Sequence, residues 1–175
     1  PDSNGRVRID YSIASRGLIG FRTEFLTLTS GSGLMYHTFD KYRPVIDGLH
    51  TGRRNGALIS IGQGKALPYA LFNLQDRGKM IIKSGIEVYE GMIIGIHSRN
   101  NDLVVNPLKG KQLTNVRASG SDDAVLLTTP INVTLEFALE FINYDELIEV
   151  TPISLRIRKK LLKEHERKKA ARATS

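Results

Sequence analysis

Cysteine is absent from these 175 residues, and so is any apolar run near the length of a membrane span. The first absence removes a disulfide framework and any thiolate zinc site, which fits a reducing compartment such as the cytoplasm. The second removes a transmembrane helix, which needs roughly 18 or more consecutive apolar residues. Histidine is sparse: His37, His50, His97 and His165 are scattered, no two at metal-ligand spacing, so no metal is expected here. No Ser occupies a Gly-x-Ser-x-Gly turn and no pair of acids stands out for acid and base work, so no catalytic residue is expected either. The opening PDSNGRVRID has neither an initiator Met nor a charged-then-apolar secretory pattern, and we expect a chain that starts inside a longer protein.

Phosphate-binding patterns fail on inspection. Gly62-Gln63-Gly64-Lys65 resembles the end of a Walker loop, but that spacing wants Gly at position 59 and Ser or Thr at position 66, which are Ile59 and Ala66. It reads as a hairpin turn. Asp2-Ser3-Asn4-Gly5 fits the Asp-x-x-Gly of GTPases yet stands alone as a turn sequence. Gly17-Leu18-Ile19-Gly20 has the outline of a KH clamp, but its two middle residues are apolar where a clamp wants small or basic ones.

Charge is concentrated at one end. From Arg156 onward nine Lys or Arg face two Glu, a net of +7, which is the formal charge of the whole chain. A basic end on a neutral body suits a polyanion, because cations that neutralise phosphates release condensed counterions; a solvated tail is the bland alternative.

The pattern predicts an α+β chain, long enough for one core or two small ones. Arg6 to Ala14 alternates as a strand; Ser15 caps a helix striped by Leu18, Phe21, Phe25 and Leu28 and ended by Gly31 and Gly33; Gly33 to Phe39 is a second strand. This is one half of a split βαβ unit, which needs a second half to complete its sheet. Asp40 to Asn55 reads as a linker with a boundary near Val45. Short strands are expected at Ala57 to Ile61, Ala66 to Leu74, Lys79 to Ile82, Glu87 to Val88, Met92 to His97 and Ala124 to Thr128. Thr134 caps a helix lined by Leu135, Ala138, Leu139 and Ile142; Leu147 to Thr151 and Ile153 to Arg158 form a final strand pair; Lys160 to Ala173 is a helix with little apolar face.

Between two apolar runs lies a polar excursion, Arg99 to Ser121, RNNDLVVNPLKGKQLTNVRASGS. Connections this long are uncommon and tend to be functional or disordered. Arg99, Lys109, Lys111 and Arg117 face one acid, Asp102, while Asn100, Asn101, Gln112 and Asn115 offer amides. That composition suits a phosphate-bearing or carbonyl-rich partner; a disordered insertion with ordinary surface lysines is the alternative. His97, at the mouth of the excursion, could donate to phosphate or stack on a base, or be a satisfied strand-end histidine. Arg156, Arg158, Lys159 and Lys160 open the basic end and join the expected contacts.

SRGLIGFRTEFLTLTSG, NGALISIGQGKALPYALFNLQDRG, EVYEGMIIGIHSRNNDL, KQLTNVRASGSDDA and LEFALEFINYDELIEVTPISLRIRKK together resemble the C-terminal part of the TypA/BipA translational GTPases over nearly the whole chain; Tyr36 to Thr51 matches poorly. The resemblance implies half of a ferredoxin-like domain akin to domain V of elongation factor G (1–45), a family-specific, β-rich, barrel-like C-terminal domain with one main helix (46–160), and a basic tail (161–175). It implies a ribosome-binding parent acting in ribosome assembly and in stress or cold adaptation. Its GTPase domain, with GTP and Mg, would precede this chain, which itself would hold no cofactor and hydrolyse nothing. The expected partners are the ribosome, through rRNA and tRNA at the 99–121 loop, and the GTPase region of the same protein; no membrane is expected. The alternative is a protein-protein scaffold that docks that GTPase half.

Overall fold

In the computed structural model, residues 7–18, 20–44, 53, 55–110 and 126–174 are described. The chain divides into two compact units, residues 1–51 and 52–175.

In the first unit a short 3-10 turn, Ser15–Leu18, precedes α1 (Phe21–Leu28). Gly20 stands between them at φ 81°, so Leu18 lies outside the α-helix instead of on its stripe. The far end of α1 closes as its glycine predicts: Ser30 and Gly31 turn left-handed, and the Gly31 amide donates to the Leu26 carbonyl at 2.7 Å. The two strands expected at 6–14 and 33–39 form no ladder among the described residues, and Val7, Ile9, Tyr11, Leu34, Tyr36 and Phe39 are exposed. Position in the motif explains this. In a split βαβ fold the two strands of one half are separated by a strand from the other half, so neither has a neighbour here.

The second unit is built on β1 (Ala57–Ser60), whose four residues are all buried. It is one of the two inner strands of a four-stranded sheet ordered β3-β5-β1-β6, made with β3 (Gly78–Met80), β5 (Ile93–His97) and β6 (Leu103–Val105). β5 runs antiparallel to β1 and β3, whereas β6 runs parallel to β1. Alternation along β1 divides the core in two. Leu58 packs with Leu71, Leu74, Met80, Ile94 and Val105 on one face; Ala57 and Ile59 pack with Ile93, Ala138, Phe141 and Ile157 on the other. Each fully buried aliphatic side chain contributes about 1.5–3 kcal/mol.

The first face is covered by α2 (Pro68–Gln75) and the second by α3 (Leu135–Phe141) with the hairpin of β7 (Glu146–Val150) and β8 (Leu155–Lys159). β2 (Gly64–Lys65) and β4 (Glu87–Val88) form a small ribbon, and α4 (Glu164–Thr174) ends the chain. Thr134 caps α3, its hydroxyl accepting from the Phe137 amide at 3.2 Å. No helix among the described residues is long and apolar enough to cross a membrane.

Three expectations for this unit change. The strand expected at 66–74 is instead mostly the helix Pro68–Gln75: Leu67, its N-cap, and Ala70, Leu71 and Leu74 recur at helical spacing, and Pro68 sits at the first helical position, where its missing amide costs nothing. The polar excursion is interrupted by β6. The strand expected at 124–128 forms no ladder at 126–128, and its first two residues lie outside the described set. The described residues of the second unit thus form a four-stranded sheet, two ribbons and three helices, in keeping with the expected α+β class and β-rich C-terminal domain.

Candidate nucleic-acid interface

The root of the excursion is built by a tight crossing. β5 and β6 flank β1, so residues 98–102 must pass over the beginning of β1 to join them. Gly56 makes room: a Cβ there would stand 1.9 Å from the Asn101 carbonyl oxygen. Its amide donates to the Arg99 carbonyl (2.7 Å), and its carbonyl accepts from the His97 amide (2.8 Å). His97, 6% exposed, donates from Nδ1 to the Asn101 carbonyl at 2.6 Å, a bond that fixes the tautomer because a carbonyl can only accept. Asn55 adds an amide bond to the His97 carbonyl (3.1 Å).

Asp102 locks the crossing to the rest of the unit. One carboxylate oxygen accepts from the Ala57 amide (2.8 Å) and from Arg53 Nη2 (2.7 Å); the other meets Lys159 Nζ at 2.5 Å. Arg53 also reaches Glu146 at 2.5 Å and lies over the Phe141 ring, 4.5 Å from its centroid. Lys159 reaches Asp145 (2.7 Å) and Glu146 (2.8 Å). Burial pushes the Asp102 carboxyl upward, but the hydrogen bonds from Lys159 and the Ala57 amide and the nearby Arg53 charge outweigh it and hold the group below its ordinary range. Burial likewise pulls the Lys159 ammonium down, and its bonds to Asp102, Asp145 and Glu146 raise it overall. These acids are filled by cations of the chain itself, and among the described residues no group of three His, Cys, Asp or Glu is placed to hold a metal ion.

Beyond β6 the chain is fastened to both ends of α2. On the way out, the Leu67 amide donates to the Pro107 carbonyl (2.9 Å), and Asn106 caps the next turn by accepting from the Leu108 amide (2.9 Å). On the way back, the Gln75 carboxamide oxygen accepts from the Thr128 amide (2.5 Å) and hydroxyl (2.9 Å), while its nitrogen donates to the Leu126 carbonyl (3.4 Å).

This framework sorts the residues picked out in sequence. Arg99, Asn100, Asn101 and Lys109 are brought to the surface on the root and outgoing leg, and Lys160 is exposed at the end of β8. Lys111, Gln112, Asn115 and Arg117 lie outside the described residues. His97 and Lys159, expected at an RNA surface, are buried and bonded inward. Lys159 is 2% exposed because it follows Ile157 on the inward face of β8, so its ammonium is spent on three carboxylates. Arg158 is half-buried and paired with Glu149 (2.6 Å), the same acid that accepts from the Tyr89 hydroxyl at 2.5 Å. Burial, then that bond, raises the Tyr89 hydroxyl above its usual range. Arg156, also half-buried, donates to the Ser154 hydroxyl at 3.3 Å. Sequence reading missed Arg53, Gln75 and Glu146; the one available signal was Asp102, a lone acid in a basic stretch.

Residues 55–164 match the family model of the TypA/BipA C-terminal domain, and residues 1–50 match that of the elongation factor G C-terminus. The chain is similar to proteins named large ribosomal subunit assembly factor BipA: 64% identical over 173 residues to that of Escherichia coli, covering 99% of this chain and 28% of the relative. For the Haemophilus influenzae protein the figures are 62% over 175 residues, 100% and 28%; for that of Buchnera aphidicola, 60% over 169 residues, 96% and 28%. The chain therefore spans little more than a quarter of the length of these curated relatives.

Proposed function

Because the chain belongs to the TypA/BipA family, we propose that it is the ribosome-contacting C-terminal region of a translational GTPase that serves assembly of the large ribosomal subunit, in the cytoplasm and with a part in stress or cold adaptation. GTP and Mg belong to the parent's N-terminal region, and this part carries the RNA contact. The observation that supports the reading most is the root itself. A rigid crossing, held by Gly56, His97 and Asp102, presents Arg99, Asn100 and Asn101 outward, and a second fastened leg presents Lys109. The ligand is rRNA or tRNA, with cations on phosphates and amides on sugars or base edges. Lys111, Gln112, Asn115 and Arg117, which lie outside the described residues, belong to the same proposed contact by their chemistry, as do Arg156 and Lys160.

Charge reversal at Arg99 and Lys109 in the full-length protein tests this. Each lost phosphate contact shallows the log-log salt dependence of ribosome binding by roughly 0.7–0.9. Binding and slope equal to wild type would sink the assignment.

A second reading, docking of the remainder of the same protein, draws on a different surface. Val150 and Ile153, the latter 96% exposed, sit at the β7–β8 turn beside an open groove lined also by Ile81, Pro130 and Val133. Loss of association with a separately expressed N-terminal part on Ile153→Asp, with ribosomal RNA contacts intact, would favour it.

A further inference from the structure

α2 reads PYALFNLQ and carries no charged residue, which is unusual for a helix with one face in solvent. Its inner face, Ala70, Leu71 and Leu74, is spent on the core. Its outer face shows Phe72, 45% exposed, beside Tyr69 and Asn73, and the Asn73 amide is tied to the Tyr69 carbonyl at 3.0 Å. The position of this face matters more than its composition. The outgoing leg of the excursion lies against the N-terminal end of α2, through Leu67 and Pro107, and the returning leg is gripped by Gln75 at the other end. Eight helical residues span about 12 Å, so Phe72 lies on a floor framed by the two legs.

Cations stand beyond both ends of that floor. Lys65 and Lys109 are exposed near the first end, and Arg77 and Lys79 follow the second. Asp76 is an acid at the C-cap, and Glu87 faces Lys65 across the β2–β4 ribbon. Cation, neutral aromatic surface, cation is the order that suits a single strand of nucleic acid, whose phosphates seek charge while its bases seek a ring.

We propose that the outer face of α2, framed by the Pro107–Lys109 and Leu126–Thr128 legs, is a stacking platform for an unstacked base of single-stranded RNA, with Phe72 as the ring on which the base lies. It rests on the RNA-binding reading above and adds to it a contact that is neither charged nor part of the polar excursion. Lys109 holds a phosphate neighbouring that base, and Gln75 keeps the far leg from closing over the ring.

The test uses the whole chain and a short single-stranded RNA carrying one fluorescent adenine analogue, titrated at several salt concentrations. Phe72→Leu keeps the apolar bulk and removes the ring. It weakens binding about five-fold or more, abolishes quenching of the analogue and leaves the salt slope unchanged. Phe72→Tyr restores both affinity and quenching, whereas Lys109→Ala shallows the slope by roughly 0.7. If Phe72→Leu binds and quenches like wild type while Lys109→Ala shifts the slope, the platform is wrong and the polar interface stands. If wild type does not bind the RNA, both readings fall. If Phe72→Leu leaves RNA binding intact but loses the parent's N-terminal part, α2 is a protein contact and the platform is overturned.

Discussion

Replacing Lys159 with Met separates a structural lysine from a surface one. The substitution keeps the aliphatic stem and deletes the ammonium, leaving Asp102, Asp145 and Glu146 to share what Arg53 can supply. Glu146 has no exposed side chain and keeps one cation, Arg53, at 2.5 Å; Asp102 keeps Arg53 and the Ala57 amide; Asp145 turns to water. Removing one partner of a buried ion pair costs about 3–5 kcal/mol, and partial compensation by Arg53 puts the loss near the lower end. Against a total stability of about 5–15 kcal/mol, this lowers the thermal midpoint by roughly 10 °C.

The pH dependence carries the sign. Lys159 has a raised folded pKa, so its contribution is fully present below the unfolded lysine value and lost as pH rises through the folded one. Asp102 has a lowered folded pKa, so its contribution is present above the unfolded carboxylate value and lost as pH falls through the folded one. The gap between wild type and Lys159→Met is therefore widest around neutrality and narrows at both extremes. Thermal melts across pH, with RNA binding measured on the same samples, check it. A variant that melts like wild type but no longer binds RNA would refute the argument and return Lys159 to the surface.

Two further outcomes follow from the same geometry. Gly56→Ala places a methyl 1.9 Å from the Asn101 carbonyl oxygen, a backbone atom that cannot give way without moving the crossing; we expect a loss of about 3 kcal/mol or more in chemical denaturation, with faster amide exchange at Arg99 to Asp102. Truncation before Glu164 removes α4, which is mostly exposed and bound back through the Glu164 amide to Glu90 (3.1 Å) and through Arg167 to the carbonyls of Leu161 and Leu162; the thermal midpoint stays nearly unchanged while ribosome binding weakens, and a large drop in the midpoint would show that the helix is structural.

The strands at 57–60, 87–88 and 93–97, the capped helix after Thr134 and the closing hairpin were legible in sequence because each joins a clear period to a cap or turn. α2 was not, since a short apolar run supports either period, and Pro68 reads as a strand edge as readily as a first helical turn. β6 hid because its three apolar residues are flanked by Asn and Asp in an otherwise polar stretch. The ionic network was hidden for another reason. Its members stand at positions 53, 102, 145, 146 and 159, and charge in a sequence does not reveal burial. Lys159 looked like part of a basic run, although its alternation with Ile157 along β8 pointed inward.

Arg53 and Asp102 are synthesised before Glu146 and Lys159, the partners that lie later in the sequence. Until then a guanidinium and a carboxylate await partners that do not exist, and β1 lacks the hairpin that covers one of its faces. The unit thus folds late and as a whole, because contacts this far apart in sequence return nothing until their last member arrives. A nascent chain stalled short of β8 leaves the Ala57 and Ile59 face of β1 without Ile157, an apolar surface open to unwanted company.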